Sequence, residues 1–143
     1  MIDHHSSGYK TDWAMLKAKY KDRACLYRLR KTHPPAAFWT RVSIAWTYPE
    51  SENNGFPSTA LCAQMDQFEQ GFDEIIEKKG LSWLVLVITG MGLKEWTFYV
   101  TEFKDFIREF NDVMLGRPIA PVKITHYQDP DCQYWAEVRK HLP

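Results

Sequence analysis

Residues 81–89, Leu-Ser-Trp-Leu-Val-Leu-Val-Ile-Thr, are dense in Leu, Val and Ile and carry no charge. A strand with one wet face alternates apolar and polar residues, so an unbroken run like this belongs in the middle of a sheet, covered on both faces. The run is far short of the roughly 20 apolar residues that span a bilayer, and no membrane span is expected. Gly90-Met91-Gly92 turns it into a second strand over residues 94–100, making a hairpin.

Residues 38–48 give the cleanest alternation: Thr40, Val42, Ile44, Trp46 and Tyr48 on one face, Trp39, Arg41, Ser43, Ala45 and Thr47 on the other. Residues 13–31 alternate less strictly. The break at Lys21-Asp22-Arg23 favours a hairpin, although Trp13, Leu16 and Tyr20 also fit a helical stripe. His33-Pro34-Pro35 ends this element, because proline cannot donate to a ladder. Residues 49–57 form a loop whose Asn54-Gly55 tolerates positive φ.

Ser58 is placed to cap a helix with Leu61, Met65, Phe68 and Phe72 inward, ending near Gly80. Thr101 is expected to cap a second, with Phe103, Phe106, Phe110 and Val113 inward, stopped at Gly116. A strand over 122–127 follows. Asp129-Pro130 then caps a short C-terminal helix whose Trp135, Val138 and Leu142 dock on the body.

With 143 residues the chain has the length of one domain and one core. We expect a flexible N-terminus over residues 1–11 and a single α+β domain over 12–143. Its mainly antiparallel sheet carries helices on one face, in a ferredoxin-like (split βαβ) arrangement with an extra N-terminal strand or hairpin and the short C-terminal helix. The first residues lack the basic flank and apolar stretch of a leader, which predicts a cytoplasmic protein. Cys25, Cys62 and Cys132 are odd in number and widely spaced, and are expected as free thiols.

Several stretches resemble domain-of-unknown-function family 695, an uncharacterised and mainly bacterial group. They are Trp39-Thr40-Arg41-Val42, residues 84–90, Glu95-Trp96-Thr97-Phe98-Tyr99, and Asp129-Pro130 ahead of Trp135. The resemblance covers roughly residues 12–140 and implies the fold but no activity. Cys132 departs from the large aromatic that the family pattern implies after Asp-Pro.

Net charge is zero but polarised: residues 1–47 carry nine Lys/Arg against three Asp/Glu, and residues 48–80 two against seven. Overall neutrality argues against broad nucleic-acid affinity. Gly90-x-Gly92 is followed by a strand instead of a helix N-terminus, so it does not cradle phosphate. The segment from His126 to Cys132 gathers an imidazole, two carboxylates and a thiol. Asp129 is explained as a cap, Asp131 as a first-turn charge and His126 as a core-edge residue on the Val122/Ile124 face; a Cys132–His126 nucleophile would need contact and a lowered thiol pKa. The tandem His4-His5 lacks the fixed geometry of a metal site.

No catalytic set, metal or cofactor is therefore assigned. The excess of aromatics is the feature that points to binding. Alternation sends Trp39 and either Trp96 or Tyr99 to different faces of the sheet, and an uncovered aromatic face rimmed by Arg or Lys suits protein partners. The expected function is a non-enzymatic protein-interaction module, specifically an inhibitor or immunity protein that neutralises a bacterial toxin or nuclease. The expected contact residues are Lys17, Lys19, Lys21, Arg28, Arg30, Trp39, Arg41 and Trp96. The alternatives are a small hydrolase using the His126–Cys132 cluster and an RNA-binding regulator that stacks bases on the aromatics.

Overall fold

The computed structural model describes residues 12–20, 23–50, 53–75 and 79–141. The expected flexible N-terminus, with His4 and His5, lies outside them, as do Lys21, Asp22 and Leu142. Strands run over Trp13–Tyr20 (β1), Arg23–Arg30 (β2), Thr40–Thr47 (β3), Ser82–Gly90 (β4), Leu93–Val100 (β5) and Val122–Gln128 (β6). Helices cover Thr59–Ile75 (α1), Phe103–Met114 (α2) and Gln133–Lys140 (α3), and a 3-10 turn covers Asn53–Gly55.

The strands form one sheet in the order β1-β2-β4-β5-β3-β6, every neighbour antiparallel. The chain is thus α+β, as its order of elements implied, with a sheet more complex than a four-stranded one. β5 lies between β3 and β4, and β3 lies between β5 and β6.

Alternation divides the sheet into two faces. On the first, the register lines up Arg28, Val87, Trp96, Ile44 and Ile124 across five strands. Helices α1 and α2 press Met65, Phe68, Phe72, Phe106, Phe110 and Val113 onto this face. The contacts are mostly edge-to-face: Phe68 meets Trp46 at 5.6 Å and Phe72 meets Phe98 at 5.2 Å between ring centres. Such pairs add about 0.5–1.5 kcal/mol each beyond the area they bury.

One carboxylate ties this helix layer to the sheet. Glu69 of α1 accepts two hydrogen bonds from Arg28 Nη2, both at 2.9 Å, and one from Trp96 Nε1 at 2.7 Å. Because Arg28 and Trp96 flank Val87 in a single cross-strand row, one side chain pins α1 to both β2 and β5.

The expectation that all helices share one face is corrected by α3. It packs on the second face, where Cys132 and Trp135 join Leu29, Val85, Leu86 and Tyr99. The cause is the apolar run of β4, which needs cover on both sides. Its register shifts between Leu84 and Leu86, so Val85 and Leu86 both turn to the second face while Leu84 and Val87 point to the first. A β-bulge of this kind is invisible in a run of uniform hydrophobicity.

Loop chemistry follows the sequence with one exception. Met91 and Gly92 both take positive φ, 56° and 78°, the geometry of a tight hairpin turn. Any Cβ on Gly92 would come within 2.9 Å of the Tyr48 carbonyl oxygen. Ser58 Oγ accepts from Leu61 N at 3.2 Å, as expected of a cap, and α1 is described to Ile75, short of Gly80. Thr101 does not cap α2: Glu102 occupies that position without a side-chain bond.

If Glu69 holds the first layer together, Glu69→Ala should cost about 2–4 kcal/mol, because it leaves the Trp96 indole N–H buried without an acceptor and deprives Arg28 of its carboxylate. Urea unfolding would read this as a lower midpoint at unchanged slope. A loss below about 0.5 kcal/mol would show that the bond is incidental.

Candidate functional site

The second face is covered only in part. Trp135 Nε1 donates to the Arg30 carbonyl at 2.8 Å, and the Trp135 backbone N–H donates to Tyr99 Oη at 3.2 Å, which seats α3 over β2, β4 and β5. Tyr99 Oη in turn donates to Asp129 at 2.6 Å. Asp129 also accepts from Gln133 N at 2.8 Å and Tyr134 N at 3.1 Å, so its side chain serves the first amides of α3, although Cys132 occupies the N-cap position and Pro130 and Asp131 precede the helix instead of forming its first turn. Burial alone would raise the Asp129 pKa. The bonds from Tyr99, Tyr134 and Gln133 outweigh it, and the net shift is downward. Burial, reinforced by Asp129, pushes the Tyr99 phenol far up.

With α3 held to that side, the β5-β3-β6 part of the face carries a polar grid. The register pairs Arg41 with Tyr99 and Tyr127, Ser43 with Thr97 and Thr125, and Ala45 with Glu95 and Lys123. Ser43 Oγ donates to Glu95 Oε2 at 2.6 Å. The Arg41 guanidinium carbon lies 4.8 Å from the centre of the Tyr127 ring and 4.2 Å from that of Tyr134, so the cation sits between two aromatic faces. Its Nε is enclosed and has no hydrogen-bond partner. Together with Glu95 and the two threonines these groups line a cavity of about 190 Å³. The Tyr134 phenol is raised by burial first and by Glu95 second, with Arg41 opposing.

Of the expected contact residues, two belong here. Trp39, half exposed at 52%, immediately precedes β3, and its carbonyl accepts from Asp129 N at 2.7 Å. Arg41 is the centre of the grid. The others lie elsewhere. Trp96 is fully enclosed on the first face and bonded, like Arg28, to Glu69. Arg30 is buried, pairs with Asp12 at 2.8 Å and stacks over Trp83. Lys17 and Lys19 are exposed on β1, the opposite edge of the sheet from β6. Lys21 lies outside the described residues. Sequence reasoning missed Tyr127 and Tyr134 as partners of Arg41, and Ser43, Glu95, Thr97 and Thr125 as the other residues around the same cavity. Alternation already put Ser43 beside Arg41, but the rest depends on strand register and on where α3 docks.

The His126–Cys132 pair is not formed. His126 stacks on Phe103, ring centres 3.8 Å apart, on the face of α2, while Cys132 is buried in the cluster on the opposite face. Burial, with help from Asp129 and Asp131, pushes the Cys132 thiol up to about 11, the reverse of what a nucleophile needs. Cys132 adopts φ 52° and its Sγ points at the Phe38 carbonyl, so the residue is a small buried hinge into α3. Among the described residues no group of three or more His, Cys, Asp or Glu could hold a metal ion, and no helix is long and apolar enough to cross a membrane.

The family model described as a family of unknown function (DUF695) matches residues 11–138. No curated protein and no solved structure matches the chain.

A raised thiol pKa has a pH consequence with a definite sign. Below the unfolded thiol value of about 8.5 both states are protonated, and the contribution of Cys132 is fully present. Above it the unfolded chain ionises first, so stability falls until the folded thiol ionises near 11. Urea midpoints from pH 8 to 10.5 should decline less steeply in Cys132→Ser than in the parent; identical slopes would contradict the burial of this thiol.

Proposed function

We propose that this chain, which belongs to the DUF695 family, is a non-enzymatic protein-interaction module that meets its partner through the open part of the second sheet face. The observation that carries this reading is the Arg41 cation held between Tyr127 and Tyr134, with Trp39, half exposed, two residues before it in the chain. Trp, Tyr and Arg dominate binding hot spots because each buries a large amphipathic surface. An arginine already oriented by two rings loses less rotamer freedom on binding than a free one. Tyr127, 51% exposed, supplies contact area at the same place.

In its specific form the module is an inhibitor or immunity protein that occludes a bacterial toxin or nuclease. Its site of action is the cytoplasm, for which the three free cysteines are suited. The exposed Lys17 and Lys19 on the far edge steer an acidic partner without contributing to the hot spot. We further read β3-α1-β4-β5-α2-β6 as a ferredoxin-like unit, supported by the order β4-β5-β3-β6, with β1 and β2 as an extension of its sheet. The RNA-binding alternative is weaker because a single-strand groove tracks the backbone with a run of cations, whereas Lys17 and Lys19 lie on the opposite edge of the sheet from Tyr127 and leave Arg41 and Lys123 as the cations of the grid. The hydrolase alternative lacks the contact it requires.

A photo-crosslinking residue at position 127 should yield a discrete protein adduct in the source cell, and the same residue at the exposed Met15 should not. Arg41→Ala should weaken binding of the recovered partner by about 2 kcal/mol or more, some thirtyfold. For the specific form, the partner's toxic or nuclease activity should be suppressed by the parent and not by the variant. An adduct destroyed by ribonuclease, or one indifferent to Arg41→Ala, would refute the reading.

A further inference from the structure

A second cavity has no part in the face just described. It opens between α1 and the segment that follows α2, and measures about 630 Å³, within the range of small-molecule sites. Its floor is apolar, formed by Trp46 and Phe68. One wall is the exposed stripe Gln64, Gln67 and Gln70 of α1; the other is residues 117–120. A narrower recess of about 180 Å³ shares Phe68, Met114 and residues 117–120 with this cavity and is bounded also by Phe110 and Val122.

The distribution of charge in this lining is one-sided. Among the described residues Arg117 is the only charged side chain that borders either space, and it borders both. Its Nε donates to the Val113 carbonyl at 3.0 Å, and its guanidinium carbon lies over Gly71, 3.3 Å from where a Cβ would be. Among the described residues no carboxylate pairs with it. The remaining guanidinium N–H groups are thus left for an anion at the mouth of an apolar recess, with three neutral amides nearby as further donors. Ile119, 98% exposed, adds an apolar lip.

We propose that this cleft is a binding site for an unbranched alkyl monocarboxylate, its carboxylate on Arg117 and its chain over Trp46 and Phe68 into the recess. A single cation balances a single negative charge, whereas a phosphate dianion would remain half uncompensated. A guanidinium fork also matches the planar geometry of a carboxylate. Two spaces that share the lining of Phe68 and residues 117–120 suit a flexible chain that bends between them.

Calorimetric titration of the full chain with hexanoate, octanoate and decanoate, each below its micellar concentration, tests the site. Affinity should rise by up to about fourfold per added methylene. Arg117→Gln should weaken decanoate by about tenfold or more and leave 1-decanol unchanged. Gln67→Trp, at an exposed helical position, should fill the cleft and abolish binding of both, with the thermal transition showing that each variant is folded. Absence of decanoate binding to the parent, equal affinity for decyltrimethylammonium, or indifference to Arg117→Gln would overturn the proposal. So would a dimer in sedimentation that Gln67→Trp dissociates, because the occupant would then be a second copy of the chain.

Discussion

Strand β5 keys the molecule through two side chains that point in opposite directions. Trp96 donates to Glu69 on the face covered by α1 and α2, and Tyr99 donates to Asp129 on the face covered by α3. Both aromatics are fully buried, so each brings a polar atom into a region where an unmade bond costs about 1–3 kcal/mol. Each supplies that bond to a carboxylate on a covering element. The two bonds fix helix positions that hydrophobic contact alone, being non-directional, would leave free to slide.

The position of α3 decides what remains exposed. Asp129, Tyr99 and Trp135 draw it over β2, β4 and β5, and the β3–β6 edge of the same face is left with polar and aromatic groups. Tyr134, on the first turn of α3, is the link: its backbone N–H belongs to the cap and its ring lies against Arg41. The helical turn that carries the structural clamp therefore also positions the proposed contact residue, Arg41. On the other face a cleft opens beside α1 where the chain leaves α2.

Much of this was legible in the sequence because it is local. The alternation of residues 38–48 gave both faces of β3, the apolar stripes gave α1 and α2, and Asp129-Pro130 announced α3, whose first helical residue, Gln133, lies a few positions later. What the sequence concealed is non-local. The Val85 bulge hides in a run where every residue is apolar, and the choice of face for α3 depends on Tyr99 Oη, a bond between residues 30 positions apart. The expected contact set failed to gather for the same reason. Trp96 and Arg28 look like surface candidates until the register sets them under Glu69, while Tyr127 and Tyr134 meet Arg41 only once β6 and α3 are in place. Residues 126–132 show the converse, since His126 and Cys132 are close in sequence yet lie on opposite sides of the sheet.

The central claim is that Tyr99, through Asp129 and the Trp135 backbone, holds α3 in place independently of the helix layer on the other face. Hydrogen exchange of Tyr99→Phe tests it most directly. Amides of residues 133–140 should exchange faster than in the parent, while those of α1 around Met65 to Phe72 keep their protection. Equal acceleration in α1 and α3, or no acceleration in either, would contradict the claim.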